Sequence, residues 1–139
     1  MTVIGTNVAS LRAAGLPCPV VSVGSTPTAL SATGLDGVTE VRAGVYVFFD
    51  LVMHAVGVCS TDELALSVLT TVIGHQCERG WAIVDAGWMA LSRDRGTTQP
   101  RDCGYGLICD EHGQVLANYR VSAANQEHGI VSRSEEHNV

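Results

Sequence analysis

Apolar runs along the chain are short and separated by glycine, proline and small polar residues. Residues 10–14 are compatible with a short helix, stopped by Gly15 and Pro17, and the run Pro19-Val20-Val21-Ser22-Val23 reads as a buried strand. Together they form one helix-then-strand unit. The turn formers Gly24-Ser25-Thr26-Pro27-Thr28 follow, then a linker over residues 29–38 whose period is broken by Gly34 and Gly37, so a domain boundary is drawn near residue 30. Beyond it, residues 44–50, 64–73, 81–84 and 105–109 are rich in β-branched and aromatic residues and predict strands. Asp110-Glu111-His112-Gly113 separates two apolar runs, 106–109 and 114–117, in the layout of a β-hairpin whose glycine supplies a positive φ. Residues 134–139 have the polarity of a frayed end.

Composition narrows the class. With 46% hydrophobic and 16% charged residues, the 139-residue chain has enough apolar material for a buried core. Its longest apolar stretch, residues 45–59, is broken by Asp50 and His54 and falls short of the ~20 residues a membrane helix needs. The first residues lack a basic segment followed by a long apolar one, and the expected location is the cytoplasm. Five scattered cysteines (Cys18, Cys59, Cys77, Cys103, Cys109) then read as reduced thiols, and none forms a Cys-x-x-Cys pair of the zinc-ribbon kind. A net charge of −6 with dispersed cations disfavours nucleic acid. All eight basic residues are arginine; the chain contains no lysine.

Four groups of residues could carry chemistry. Gly24-Ser25-Thr26 after a buried strand offers backbone N–H groups and two hydroxyls to an anion such as a phosphate, or is a plain turn before Pro27. His75 and Cys77 would share one side of a strand, yet two ligands do not hold zinc tightly. Glu127-His128 and Glu135-Glu136-His137 each set a carboxylate beside an imidazole, either for proton transfer or as solvated polar residues. Asp85, at the end of an apolar run, could hold a loop or a ligand, or cap its own turn.

Taken in order, the runs at residues 21–28 (VSVGSTPT), 39–50 (TEVRAGVYVFFD), 84–92 (VDAGWMALS) and 126–129 (QEHG) resemble successive motifs of the D-serine dehydratase/D-threonine aldolase family, over nearly the whole chain. The resemblance implies an alanine-racemase-like architecture, a (β/α)8 barrel that binds pyridoxal 5′-phosphate followed by a mostly β domain. It therefore implies an α+β chain in which residues 1–30 are the last helix-strand unit of the barrel. Residues 31–139 would then be most of a β domain of the alanine-racemase C-terminal β-barrel type. It also implies that Gly24, Ser25 and Thr26 cradle the cofactor phosphate, that Tyr46 and His128 approach the active site, that the substrate is a small D-amino acid, and that the full-length enzyme is a homodimer.

Two departures accompany the matches. The family holds its cofactor through a lysine near the start of the barrel, and an arginine guanidinium, which stays protonated, cannot form that imine. The family's zinc or other divalent metal is held by a His-x-Cys or His-x-Asp pair beyond the Glu-His-Gly motif, and no such pair follows His128. The expectation is a truncated lyase, related to D-serine ammonia-lyase or D-threonine aldolase and inactive alone, with no catalytic or metal-ligating residue of its own to name. A β domain kept as an oligomerisation or regulatory module is the alternative, and completion in trans by a lysine-bearing barrel chain is a third.

Overall fold

The computed structural model describes residues 3–96 and 102–133, and the chain divides by internal contacts into two compact units, Met1–Phe49 and Asp50–Val139. The compositional change near residue 30 thus lies inside the first unit, because the chain returns after it to pair with what came before.

In the first unit the helix α1 (Val3–Ala13) begins earlier than the sequence pattern suggests and is followed by a turn at Gly15, whose φ is 87°. The strand expected over residues 19–23 narrows to β1 (Ser22–Val23), which pairs in parallel with β2 (Glu40–Val41). Val20 stays exposed while Val21 is buried. Between the two strands lies α2 (Thr26–Ser31), started by Ser25, whose Oγ accepts from Thr28 N at 3.5 Å, and by Pro27, whose fixed φ suits a first helical turn. Thr39 ties the unit together, its Oγ1 accepting from Val21 N at 2.9 Å.

Residues 44–50, expected as a strand, instead form a 3-10 turn over Val45–Val47 and then the cap of a helix. Local hydrogen bonding overrides β propensity here: Asp50 Oδ1 accepts from Met53 N at 2.8 Å and starts α3 (Leu51–Ala55). Residues 64–71 do not form the expected strand either. They follow a Ser60/Glu63 capping box and have no partner strand among the described residues, and Leu66 is 71% exposed and Leu69 fully exposed.

The second unit is built on a five-stranded antiparallel sheet of β3 (Val72–Gln76), β4 (Trp81–Val84), β5 (Leu107–Cys109), β6 (Val115–Ala124) and β7 (Gly129–Arg133), in the order β3-β4-β7-β6-β5. The chain is therefore mostly β in this unit with few helices, as the α+β reading expected. The predicted hairpin joins β5 to β6 through the pair Cys109↔Val115. Asp110 Oδ1 accepts from His112 N and Gln114 N, both at 2.9 Å, and Gly113 takes φ 79°. Val84 from β4 and Val121 from β6 are the most buried apolar side chains of the sheet, each contributing about 1.5–3 kcal/mol by leaving water. The His75/Cys77 pair does not share a strand face, because Cys77 opens a 3-10 turn (Cys77–Arg79) after β3 ends. Glu135, Glu136 and His137 lie outside the described residues.

Candidate functional site

Sequence-singled residues gather at two places, one in each unit. In the first, β1 runs into Gly24, where an added Cβ would stand 2.5 Å from the Arg42 carbonyl oxygen and 3.3 Å from Arg42 Cβ. Only glycine permits that approach, which is sealed by Arg42 N donating to Val23 O at 2.6 Å. The next residues, Ser25 and Thr26, open α2, and with Gly24, Arg42, Gly44 and Val45 they line an open cleft of about 450 Å³.

Thr26 is 3% exposed and its Oγ1 has no hydrogen-bond partner among the described residues. A buried hydroxyl without a partner costs roughly 1–3 kcal/mol. Among the described residues Arg42 is the one cation in the lining. Its Nε donates to Ser22 Oγ at 2.7 Å and stands 3.1 Å from Glu40 Oε1, while Ser22 Oγ donates to the same Glu40 oxygen at 2.7 Å. The side chain is thereby anchored at Nε. Arg42 has no spacing signal in the sequence; its place directly after β2, opposite the glycine turn, is what selects it. Tyr46 sits on the 3-10 turn that continues from Gly44 and Val45, and its ring is exposed.

In the second unit, the motifs Asp85-Ala86-Gly87-Trp88-Met89 and Asn125-Gln126-Glu127-His128-Gly129 run against each other. Trp88 N donates to Asn125 O at 2.8 Å and Met89 N to Gln126 O at 3.1 Å. A Cβ on Gly87 would strike Asn125 O and lie 2.5 Å from His128 N, so glycine is needed for the two segments to touch. The turn is fixed from within by Asn125, whose Oδ1 accepts from Glu127 N at 3.0 Å and His128 N at 2.8 Å and whose N–H donates to His128 O at 2.9 Å. His128 is half-buried on a backbone held from three sides.

Asp85 caps another segment, not its own turn. Its Oδ1 accepts from Thr70 Oγ1 at 2.7 Å and Thr71 N at 2.8 Å, and its N–H donates to Thr71 O at 3.2 Å. The Thr71 N–H, then the Thr70 hydroxyl and, more weakly, the nearby His128, hold its carboxyl below the usual carboxylate range. Asp102 is likewise held low, first by the Gly104 N–H and then by Arg95 and Arg120. Burial, followed by Glu63 and Asp50, pushes the Cys59 thiol up, so that Cys59 has the character of a core residue and not of a reactive thiolate. Among the described residues no group of three or more His, Cys, Asp or Glu side chains is arranged to hold a metal ion.

Residues 65–139 match the family model described as "Putative serine dehydratase domain". The chain belongs to this serine dehydratase family. It is 69% identical over 127 residues to a D-threo-3-hydroxyaspartate dehydratase of Delftia sp. (strain HT23), covering 91% of this chain and 33% of that protein. It is 32% identical over 125 residues to a D-serine dehydratase of Dictyostelium discoideum, covering 84% of this chain and 30% of the relative. The solved Delftia structure superposes with a TM-score of 0.82 over 92% of this chain and 34% of that one. An alanine-racemase-like protein from Idiomarina loihiensis, 50% identical, also gives 0.82, over 94% of this chain and 35% of that one. The family member described here spans about a third of the length of the curated relatives it matches.

Proposed function

We propose that this chain is the part of a pyridoxal-phosphate-dependent dehydratase of D-3-hydroxy amino acids that supplies the cofactor's phosphate cradle and the His128 turn. By itself it carries out no turnover. The observation that carries the reading is the buried, unpartnered hydroxyl of Thr26 in a cleft with Gly24, Ser25 and Arg42. A phosphate ester would offer acceptors to the Thr26 and Ser25 hydroxyls and to the guanidinium nitrogens of Arg42 beyond the Nε that Ser22 and Glu40 hold. The 69% identity to a D-threo-3-hydroxyaspartate dehydratase supports the substrate class.

The residues fit one end of the cofactor. Gly24, Ser25, Thr26 and Arg42 would hold its phosphate; its attachment elsewhere needs an amine that a chain without lysine does not offer. When bound, the cofactor supplies an electron sink for the carbanion left as the α-proton departs. Within this chain Thr26 and Ser25 orient the anion, Arg42 neutralises it and Tyr46 lies on the turn beside them. The His128 turn presents an imidazole able to hold or pass a proton. No step is assigned to a divalent metal, because the described residues gather no ligand set for one. The homodimer, the small D-amino-acid substrate and the cytoplasmic location belong to the same proposal; among the described residues no helix is long and apolar enough to cross a membrane.

Equilibrium dialysis of the purified chain against pyridoxal 5′-phosphate and against pyridoxal tests the cradle. The phosphorylated form is expected to bind, inorganic phosphate to compete with it, and Thr26→Val to weaken it by about tenfold, the ~1.4 kcal/mol of a charge-assisted hydrogen bond. Equal retention of the two forms, or of neither, overturns the phosphate site.

A further inference from the structure

We propose that Ser22 and Glu40 are positioning residues for Arg42: together they hold its guanidinium by Nε and leave the Nη groups to meet the anion in the cleft. The strand pair brings the three together, since β1 and β2 set Ser22 beside Glu40 and Val23 beside Val41. Side chains alternate along a strand. Val21, Val23 and Val41 accordingly line an apolar cavity with residues of α1 and α2, while Ser22 and Glu40 belong to the opposite face. Arg42 continues that second face, where a Cβ on Gly24 would stand 3.3 Å from its own Cβ.

The three side chains are bonded directly. Ser22 Oγ accepts from Arg42 Nε at 2.7 Å and donates its hydrogen to Glu40 Oε1 at 2.7 Å, and that carboxylate oxygen stands 3.1 Å from Arg42 Nε. Each group thus meets the other two. The Nε hydrogen is spent on Ser22, whereas Nη1 and Nη2 make no hydrogen bond among the described residues. The backbone is fixed as well, Arg42 N donating to Val23 O at 2.6 Å. A long side chain is therefore held at its root and at the branch of its head group, and because the guanidinium is planar, holding Nε limits where both Nη groups can lie.

Stability does not account for the arrangement. The Arg42 and Glu40 side chains are exposed, and an exposed ion pair adds little to folding. Glu40 is also a negative charge next to a site for an anion, where Coulomb repulsion alone would weaken binding. What offsets that repulsion is a guanidinium ordered before the anion arrives, so that less side-chain freedom is lost on binding. A bystander carboxylate and a positioning carboxylate consequently predict opposite signs when Glu40 is removed.

That the anion is the cofactor's phosphate rests on the reading above; the hold on Arg42 does not. The first measurement is made on the full chain without ligand: exchange of the Arg42 Nε–H with solvent, followed by ¹⁵N NMR and assigned by its loss in Arg42→Lys. It is expected to speed up severalfold in Ser22→Ala and in Glu40→Ala, two variants of which either suffices should the other not fold. The second is binding of inorganic phosphate by equilibrium dialysis. Glu40→Ala is expected to weaken it about fivefold, part of the tenfold or more that a whole charge-assisted hydrogen bond carries. Glu40→Gln, which keeps an acceptor for the Ser22 hydroxyl, should restore it, and in the Arg42→Lys background Glu40→Ala should no longer weaken it. An Nε–H that exchanges equally fast in parent and variants overturns the proposal, as does phosphate binding that Glu40→Ala leaves unchanged or strengthens. Equal retention of pyridoxal and its phosphate, with the Nε–H response intact, overturns the phosphate-cradle reading and leaves the hold on Arg42 standing.

Discussion

Glycines decide where this chain's motifs meet. Gly87 has no room for a side chain, because a Cβ would collide with the backbone of Asn125 and His128 and not with a side chain that can rotate away. Gly87→Ala is expected to destabilise the second unit by about 1–3 kcal/mol, the range for overpacking against fixed neighbours. It should appear as a lower urea midpoint at unchanged slope. The same substitution at Gly44 has open space around it and should cost far less. Thr26 makes the opposite point: its buried hydroxyl, without a partner among the described residues, is what the proposed phosphate cradle rests on, and that signal does not exist in the sequence, where Ser-Thr-Pro reads equally well as a turn.

Elements formed where the sequence stated both a hydrogen-bond plan and a partner. The hairpin between β5 and β6 was legible because Asp110 and Gly113 specify its turn locally. Residues 44–50 depart from the expected strand because β-branched and aromatic content says nothing about the cap that Asp50 builds, and residues 64–71 because propensity cannot say whether a neighbouring strand exists, while 72–73 do enter β3. Another feature at this scale is the clamp that holds β6 to the segment before β5. Asp102 receives Arg95 Nη2 at 2.7 and 2.8 Å and Gly104 N at 2.9 Å, its Oδ2 lies 3.3 Å from Arg120 Nη1, and that same Nη1 donates to the Asp102 carbonyl at 2.7 Å. Because its folded carboxyl is held below the ordinary value of 3.8, the clamp's contribution is fully present above that pH and disappears as pH falls through the folded titration. Asp102→Asn should therefore be less stable than the parent chain in urea at pH 7. The gap should narrow only below about pH 4, where the parent loses the same charge.

For the whole molecule, the family was legible from four ordered motifs, and the family model and the relatives agree with it. What the motifs could not convey is that they converge in pairs: the glycine turn with Arg42, just past β2, in the first unit, and the 85–89 segment with the 125–129 turn in the second. Apolar side chains such as Leu66, Leu69 and Met89 remain on the surface, a distribution that suits a chain normally covered by more protein than it contains. A chain that spans a third of its relatives and has no lysine can still be a working third if the rest is provided. The direct measurement is D-threo-3-hydroxyaspartate turnover by a chimera in which this chain replaces the 127 matching residues of the Delftia enzyme. The account predicts release of ammonia, lowered when Thr26→Val is introduced. A chimera that folds and takes up pyridoxal 5′-phosphate but turns over no substrate would contradict it.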